Sequence, residues 1–538
     1  MPRILINEVD NTSAGTPGRY GNYSVLIPGF MGTPTTDKKK HQAPDENGVY
    51  EFDSAQAFKD TIGVIDTESA HAGNKMAYEL LNLGYPVIYK VIDEAEGVKA
   101  LADEGFWADF KDKASYDFRF VSHGLLKSSY ENDEAEARYN VLYGQLNGVN
   151  EAIEKLADIE VKAIGRTVAD EEVPTLDVEG ELETKLQAEF EKVEDYKFVD
   201  YVSASGENQD KVYFNSYITA KVGLAEDKTK IEGYIDELDK KSFTVGLFNK
   251  VNGNIAKLAS YRVDEATGEP FNDGRGDCVA LIELDEKAYA VTGSELKPEA
   301  LIVNGIKRMS ASIGEEGAYC ALTVPSVEYV GLGKFPGAFH YLACFMGSLS
   351  SGFAEWYAAA GYNRGVSSYV INRTSVKLGE IAINALEPRN IKNQATQPPF
   401  ACNVIANFRG SYYLWGNRTA AKLGSADGGA DLTAKHFLNI RQLCTTVKKQ
   451  LYVACRRFTF DPNSDTLWFN FVNAITPTLD AMKADQGIRD YKIIKEFTDK
   501  KATLKAKVRI IPIEAVEDFD ITISLEDSFG GVSVTAEG

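Results

Sequence analysis

The chain has 538 residues, 44% of them hydrophobic and 11% aromatic, and a formal net charge of −21 from 58 basic and 79 acidic side chains. That apolar content supports sizeable cores and excludes general disorder, and the length suits roughly two to four domains. A field of this sign repels nucleic acid and anionic membrane surfaces, so neither is expected as a partner.

The opening MPRILINEVDNTS has no continuous apolar run of the kind a secretory signal carries. No window reaches the roughly 18 apolar residues that a membrane span needs. RILINEV (3–9) and SVLIPGF (24–30) are short strand-like runs separated by the turn-rich NTSAGTPGRYGN. The first thirty residues therefore read as an extended arm that must find its pairing elsewhere. AYELLNLG (77–84) reads as a helix closed by Gly84, PVIYKVI (86–92) as a strand and DFRFVSHG (117–124) as another. Much of 131–200 is acidic and helical in pattern, including ELETKLQAEFEKVEDYK, which suits a solvated surface subdomain. From 243, FTVGLFNK–VNGN–IAKLASY reads as a β-hairpin with Asn252-Gly253 in a type I′ turn.

NDGRGDCVALIE (272–283) admits three readings: an exposed adhesion loop, a reactive cysteine, or a turn feeding a buried strand. The continuous apolar run from Cys278 to Ile282 favours the third.

In the last quarter, Leu467, Phe471, Ile475, Leu479 and Met482 make one helical stripe. Pro477 either kinks that helix or starts a second, and Gly487 suits the C′ stop. TLKAKVRIIP sets Leu504, Ala506, Val508 and Ile510 opposite Lys505, Lys507 and Arg509. FDITISLED alternates likewise, with Phe519, Ile521, Ile523 and Leu525 on one face. Both read as half-buried strands. Between Lys483 and Ile511 nine basic residues stand against four acidic ones, an excess of +5 in an acidic chain. Either a solvated sheet face or a docking face for an acidic partner accounts for it.

Catalytic chemistry finds no foothold. The five histidines (41, 71, 123, 340, 436) lie far apart with no ligand spacing. GSLSSG and GVSSY fail the nucleophile-elbow pattern. GLGKFPG (331–337) fails as a phosphate loop because Glu328 and Phe335 occupy the positions of the first glycine and the Ser/Thr. No dinucleotide fingerprint follows the strand at 86–92. The six cysteines lack CxxC spacing and read as small buried hydrophobes in a reducing compartment. The expectation is no enzyme, no cofactor and no metal, although a triad assembled from distant segments stays open.

Seven phrases, AYELLNLGYPVIYKV (77–91), RGDCVALIE (275–283), WYAAAGYNRG (356–365), YLWGNRT (413–419), FLNIRQL (437–443), FTFDPNSDTLW (458–468) and RIIPIEAVEDFDITISL (509–525), resemble in that order the tail sheath protein of contractile bacteriophage tails. The resemblance covers 1–130 loosely and about 270–538 well, and leaves 131–234 uncovered. It implies a mixed α/β (α+β), multidomain fold: a discontinuous C-terminal core domain with exchanged N- and C-terminal β-arms, an α/β middle domain and an outward-facing insertion. The implied segments are an arm at 1–24 that joins the core domain, middle-domain parts at 25–130 and 235–394, an acidic insertion at 131–234, and a tube-facing core domain with the C-terminal arm at 395–538.

The function so implied is mechanical. Stacked hexameric rings surround a tail tube and contract to drive it through the host envelope. The implied partners are further copies of this chain, the tube protein, and baseplate and tail terminator proteins, with no nucleic acid and no direct membrane insertion. The implied location is the virion tail, after assembly in the host cytoplasm. Candidate arm residues are Ile4, Leu5, Ile6 and Val9 at one end and Phe519, Ile521, Ile523 and Leu525 at the other. Candidate tube-facing residues are Lys483, Arg489, Lys492 and Lys495. Arg275, Asp277, Cys278, Arg364, Gly365, Trp415, Gly416, Asn417, Arg418 and Thr419 are the structural motif positions. The Pro-Gly-Val-Tyr turn that opens many members is missing here, and the nearest Pro-Gly is at 17–18. The alternatives are a sheath subunit of a related contractile injection or secretion system, or an α/β enzyme.

Overall fold

A computed structural model describes residues 23–65, 70–164, 209–262, 274–388, 396–424, 432–496, 503–513 and 515. The strand patterns at 3–9 and 519–526 and the helical pattern at 181–197 lie outside the described residues. The chain divides into two compact units, Met1–Leu126 with Val251–Gly538, and Lys127–Lys250.

The first unit holds thirteen strands among its described residues: β1 Val25–Gly29, β2 Val49–Phe52, β3 Val87–Val91, β4 Phe120–Ser122, β5 Val279–Ile282, β6 Cys320–Val324, β7 Val327–Tyr329, β8 Gly333–Phe335, β9 Ile371–Thr374, β10 Asn403–Phe408, β11 Ser411–Trp415, β12 Ile488–Glu496 and β13 Lys505–Pro512. Eight of them form one sheet in the order β11-β10-β6-β5-β4-β1-β3-β2. The pairs from β3 through β1, β4, β5 and β6 to β10 are parallel, and β2 and β11 add antiparallel edges. The parallel strands thus follow a doubly wound order that reverses beside β1.

β1 is buried along its whole length between β3 and β4. Residues 25–29, part of the arm by local pattern and of the middle domain by the resemblance, form an interior strand of this sheet. Their apolar run serves two covered faces, as parallel strands require. Helices Gly73–Asn82 and Gly337–Ser350 share the main core with the sheet, through Met76, Leu80, Phe339 and Phe345.

The hairpin expected from 243 is a helix, Val245–Ala259. Phe248, Val251, Asn252, Ile255, Ala256 and Ala259 recur at helical spacing and all are buried. The Asn-Gly pair lies inside that helix for tertiary reasons. A Cβ on Gly253 would come 2.6 Å from the Ser312 carbonyl oxygen, and the Asn252 amide donates to the Glu283 carbonyl at 2.8 Å.

Two helix ends use the same motif with different residues. After Gly73–Asn82, Gly84 takes φ +90°, with Tyr85 N–H bonded to Leu80 O at 2.9 Å and Gly84 N–H to Leu81 O at 3.0 Å. After Asp465–Ala484, Gln486 holds the left-handed C′ position at φ +60°, and Gly487 N–H reaches Met482 O at 2.9 Å. The glycine expected at C′ is one position later. It is needed there because a Cβ would stand 2.7 Å from the Trp356 ring. Pro477 lies inside this single helix, and Leu467, Phe471, Ile475, Leu479 and Met482 are its buried stripe.

β12 and β13 form a separate two-stranded antiparallel ribbon. Its inner face, with Tyr491, Ile493, Val508 and Ile510, packs on a second core of Trp356, Leu443, Val447, Leu479, Met482 and Ile488. β13 alternates exposed and half-buried residues throughout.

The second unit contains the mutually packed helices Asp133–Ile164 and Gln209–Lys241. Ser129 and Phe243 form a β-bridge within it, and Tyr139 stacks on Tyr143 and meets Tyr130 in a tilted contact.

Candidate functional site

Doubly wound sheets take ligands outside the carboxyl ends of their strands, where the strand order reverses. Here that place lies past β1 and β4, and backbone fills it. A Cβ on Gly73 would meet Pro28 O at 2.0 Å, and one on Gly124 would meet Gly73 Cα at 2.7 Å. Ala72 N–H donates to Gly124 O at 2.7 Å, and His71 bridges to Leu125. The Asn74 amide donates to Phe30 O and Gly63 O, each at 3.0 Å.

Two histidines complete the closure. His71 Nε2 donates to His123 O at 2.7 Å, while its Nδ1 accepts from Gly73 N–H at 3.3 Å. His123 Nε2 donates to Asn252 Oδ1 at 2.9 Å, and its Nδ1 accepts from Leu125 N–H at 3.0 Å. A ring nitrogen that accepts from a backbone amide has no proton, so both imidazoles are held neutral. Burial pushes their pKa values down, His71 to about 4 and His123 to about 3. They join elements together and are buried.

Ser326 is the nearest approach to a nucleophile cluster. Its hydroxyl lies 3.0 Å from Glu286 Oε2 and 2.9 Å from Ser375 Oγ, and Tyr289 OH accepts from its backbone N–H at 3.1 Å. Ser326 is buried, however, and the neighbouring Lys334 is ion-paired to Glu286. Among the described residues no group of three or more His, Cys, Asp or Glu is placed to hold a metal, and no helix is long and apolar enough to cross a membrane.

The Arg275-Gly276-Asp277 tripeptide faces inward. Arg275 is 1% exposed. It binds Asp277 through Nε–Oδ1 at 3.0 Å and Nη2–Oδ2 at 3.3 Å, and its Nη1 donates to Phe110 O and Tyr116 O at 2.9 and 2.8 Å. The guanidinium lies over the Phe118 ring, 4.3 Å from its centroid. Burial opposes charge on Asp277, but Lys449, Arg275 and Lys113 outweigh it and hold the carboxyl below its usual range. Gly276 supplies φ +72°. Cys278 is fully buried, and burial first of all pushes its thiol up to about 12. Neither an adhesion loop nor a reactive thiol is compatible with that placement. Cys278, Cys320, Cys344 and Cys402 are buried, Cys444 is half-buried, and Cys455 is exposed on the outer half of its helix, against expectation.

The remaining motif residues interlock. Arg364 Nε donates to Ala358 O at 2.8 Å, and Leu414 N–H donates to Gly365 O at 2.8 Å. Trp415 ends β11 against Phe408 and Tyr362. Gly416 takes φ +133° beside Asn403. Asn417 and Asn439 exchange bonds at 2.7 and 3.0 Å. Arg418 pairs with Glu387 at 3.3 Å, and Thr419 Oγ1 donates to Lys435 O at 2.6 Å. YLWGNRT is thereby bound to FLNIRQL.

The ribbon separates the four cationic candidates. Lys483 is paired with Asp490 at 2.9 Å and Lys495 with Asp465 at 2.9 Å. Arg489 and Lys492 are exposed. Register puts Asp490, Lys492, Ile494 and Glu496 opposite Ile511, Arg509, Lys507 and Lys505 on the outer face. Lys492 thus sits directly across from Arg509, a like-charge pair that disfavours the isolated ribbon. Lys505 and Lys507 share Glu496, at 3.1 and 4.0 Å. The continuous cationic face is Lys492, Lys505, Lys507 and Arg509. The alternation of TLKAKVRIIP was the signal for the last three.

No protein-family model and no curated protein matches the chain. Among solved structures, a chain of the anti-feeding prophage (AFP) baseplate is similar over 98% of this chain and 99% of its own, at TM-score 0.48 and 12% identity. A chain of the contracted PVC sheath complex, from an extracellular contractile injection system, is similar over 98% of both chains at TM-score 0.46 and 11% identity. At such scores and identities neither likeness decides a function.

Proposed function

We propose that this chain is a structural and mechanical subunit of a contractile sheath. It would polymerise as stacked hexameric rings around a tube and drive that tube through an envelope on contraction. The observation that carries the reading is the β12–β13 ribbon. It buries one face, has no third strand among the described residues, and belongs to a chain with strand-patterned runs at 3–9 and 519–526. Two strands alone are marginal, and open edges accept added strands. Each added main-chain bond contributes roughly 0.5–1.5 kcal/mol net. Arms from neighbouring copies would supply them through Ile4, Leu5, Ile6 and Val9 and through Phe519, Ile521, Ile523 and Leu525, keeping subunits linked while their bodies rotate.

The ordered resemblance of seven phrases supports the same reading, as does a switch-point crevice filled by backbone where an enzyme of this topology would hold substrate. Lys492, Lys505, Lys507 and Arg509, with Arg489 beside them, form the proposed tube-facing surface. Lys483 and Lys495 are paired one to one, and Lys505 and Lys507 share Glu496, so these four would meet an acidic partner by exchanging pairs. Phage tails and related contractile injection devices share these mechanics, and the proposal covers both, with tube, baseplate and terminator proteins as partners and the assembled tail as its location.

The test is the purified full chain under negative-stain microscopy, beside a form lacking 519–538. Tubes or rings are expected from the first, and a folded, non-polymerising subunit from the second. Tubes from the truncated form would remove the donated-strand assignment. A full chain that never polymerises would remove the sheath reading.

A further inference from the structure

Phe460 lies in the turn between helices Leu438–Arg457 and Asp465–Ala484, where Asp461 N–H donates to Phe458 O at 3.2 Å. Its φ is +75°, a region that such turns leave to glycine or asparagine. Its ring is 80% exposed, so packing within the chain does not compensate for the strain. A bulky aromatic is thus held in an unfavourable conformation and presented to solvent.

Between the same two helices lies a groove of about 140 Å³, lined mainly by apolar side chains such as Val447, Leu451, Ile475 and Met482, with Gln450 and Thr478 also in its wall. A cavity of roughly 150 Å³ walled by such side chains holds one benzene ring. Arg457 borders the groove, and Asp461 follows the phenylalanine. Both are exposed. A copy seated ring-first would bring carboxylate to guanidinium at the rim.

We infer that Phe460 of one copy inserts into this groove on a second copy. The inference rests on the assembly reading above and adds a specific knob and hole to it. Each copy offers one knob and one hole, so the contact repeats from copy to copy.

The full chain carrying a benzophenone amino acid at 460 would be assembled, irradiated and mapped by mass spectrometry. Intermolecular cross-links to Met482 or to neighbours within 447–457 and 474–482 are expected. Phe460→Gly should need roughly tenfold more protein to assemble, the loss of one buried phenyl contact. Its melting temperature should not fall, because glycine accepts the turn. Assembled particles whose cross-links lie elsewhere, or unimpaired assembly by Phe460→Gly, would overturn this contact alone. A chain that never assembles would overturn it together with the sheath reading.

Discussion

The eight-stranded sheet and the β12–β13 ribbon solve opposite problems. In the sheet, each parallel strand is paired on both sides, and several buried polar groups beside it are tied internally. Arg275, His71, His123 and Asn74 all bond to backbone or to one another. In the ribbon only one face is covered, both outer edges stay open among the described residues, and like charges face each other across the strands. A region complete in itself is built for rigidity. A region left with unused bonding capacity is where the proposed added strands would pair.

Three experiments can break that contrast. The largest effect should come from Arg275→Ala. Removing it leaves Asp277 without its bidentate partner and the carbonyls of Phe110 and Tyr116 without a donor. A loss of about 3–5 kcal/mol is expected in urea unfolding, as for other broken buried pairs. A loss below about 1 kcal/mol would show that the sheet does not depend on its internal ties.

Acid should act next. His71, His123 and His340 all have pKa values lowered by burial, to about 4, 3 and 3 from an ordinary 6.5. The unfolded chain therefore binds protons that the fold refuses. Their contribution is fully present above about pH 6.5 and is lost as pH falls toward 4, by up to about 1.4 kcal/mol per pH unit for each histidine. Buried Glu283, whose pKa is raised by burial, works in the opposite direction as pH falls. The urea midpoint followed from pH 8 to pH 5 should decline below 6.5. A flat profile would contradict the neutral, locked imidazoles.

The smallest effect belongs to the ribbon. Lys492→Glu turns the like-charge pair with Arg509 into an opposite-charge one, and should stabilise the isolated subunit by roughly 0.2–1 kcal/mol. The same change should weaken binding to an acidic tube surface in co-sedimentation. Unchanged binding would move the docking face off the ribbon.

Periodicity made much of this fold legible. The stripe from Leu467 to Met482, the helix closed by Gly84 and the alternation of Lys505–Pro512 appear in the structure with those residues in those roles. Each depends on neighbours within one or two turns, so a local pattern carries the information. Local turn chemistry failed at Asn252-Gly253, where contacts with Ser312 and Glu283, distant in sequence, outweigh a hairpin signal. It also missed the C′ residue Gln486, because Gly487 is required against Trp356 instead.

The candidate surface was half legible. Charge counting marked the region from Lys483 to Ile511, but pairing register and partners such as Asp465 decide which cations remain unpaired. The sequence by itself determined which segments are apolar on one face, which on two, and which residues can turn the chain, because these follow from side-chain chemistry at short spacing. Tertiary structure alone decided that 25–29 is an interior strand of the sheet, that the switch-point crevice is filled, and that Phe460 stands exposed near an apolar groove. Those facts depend on contacts between residues tens to hundreds of positions apart, which no local pattern encodes.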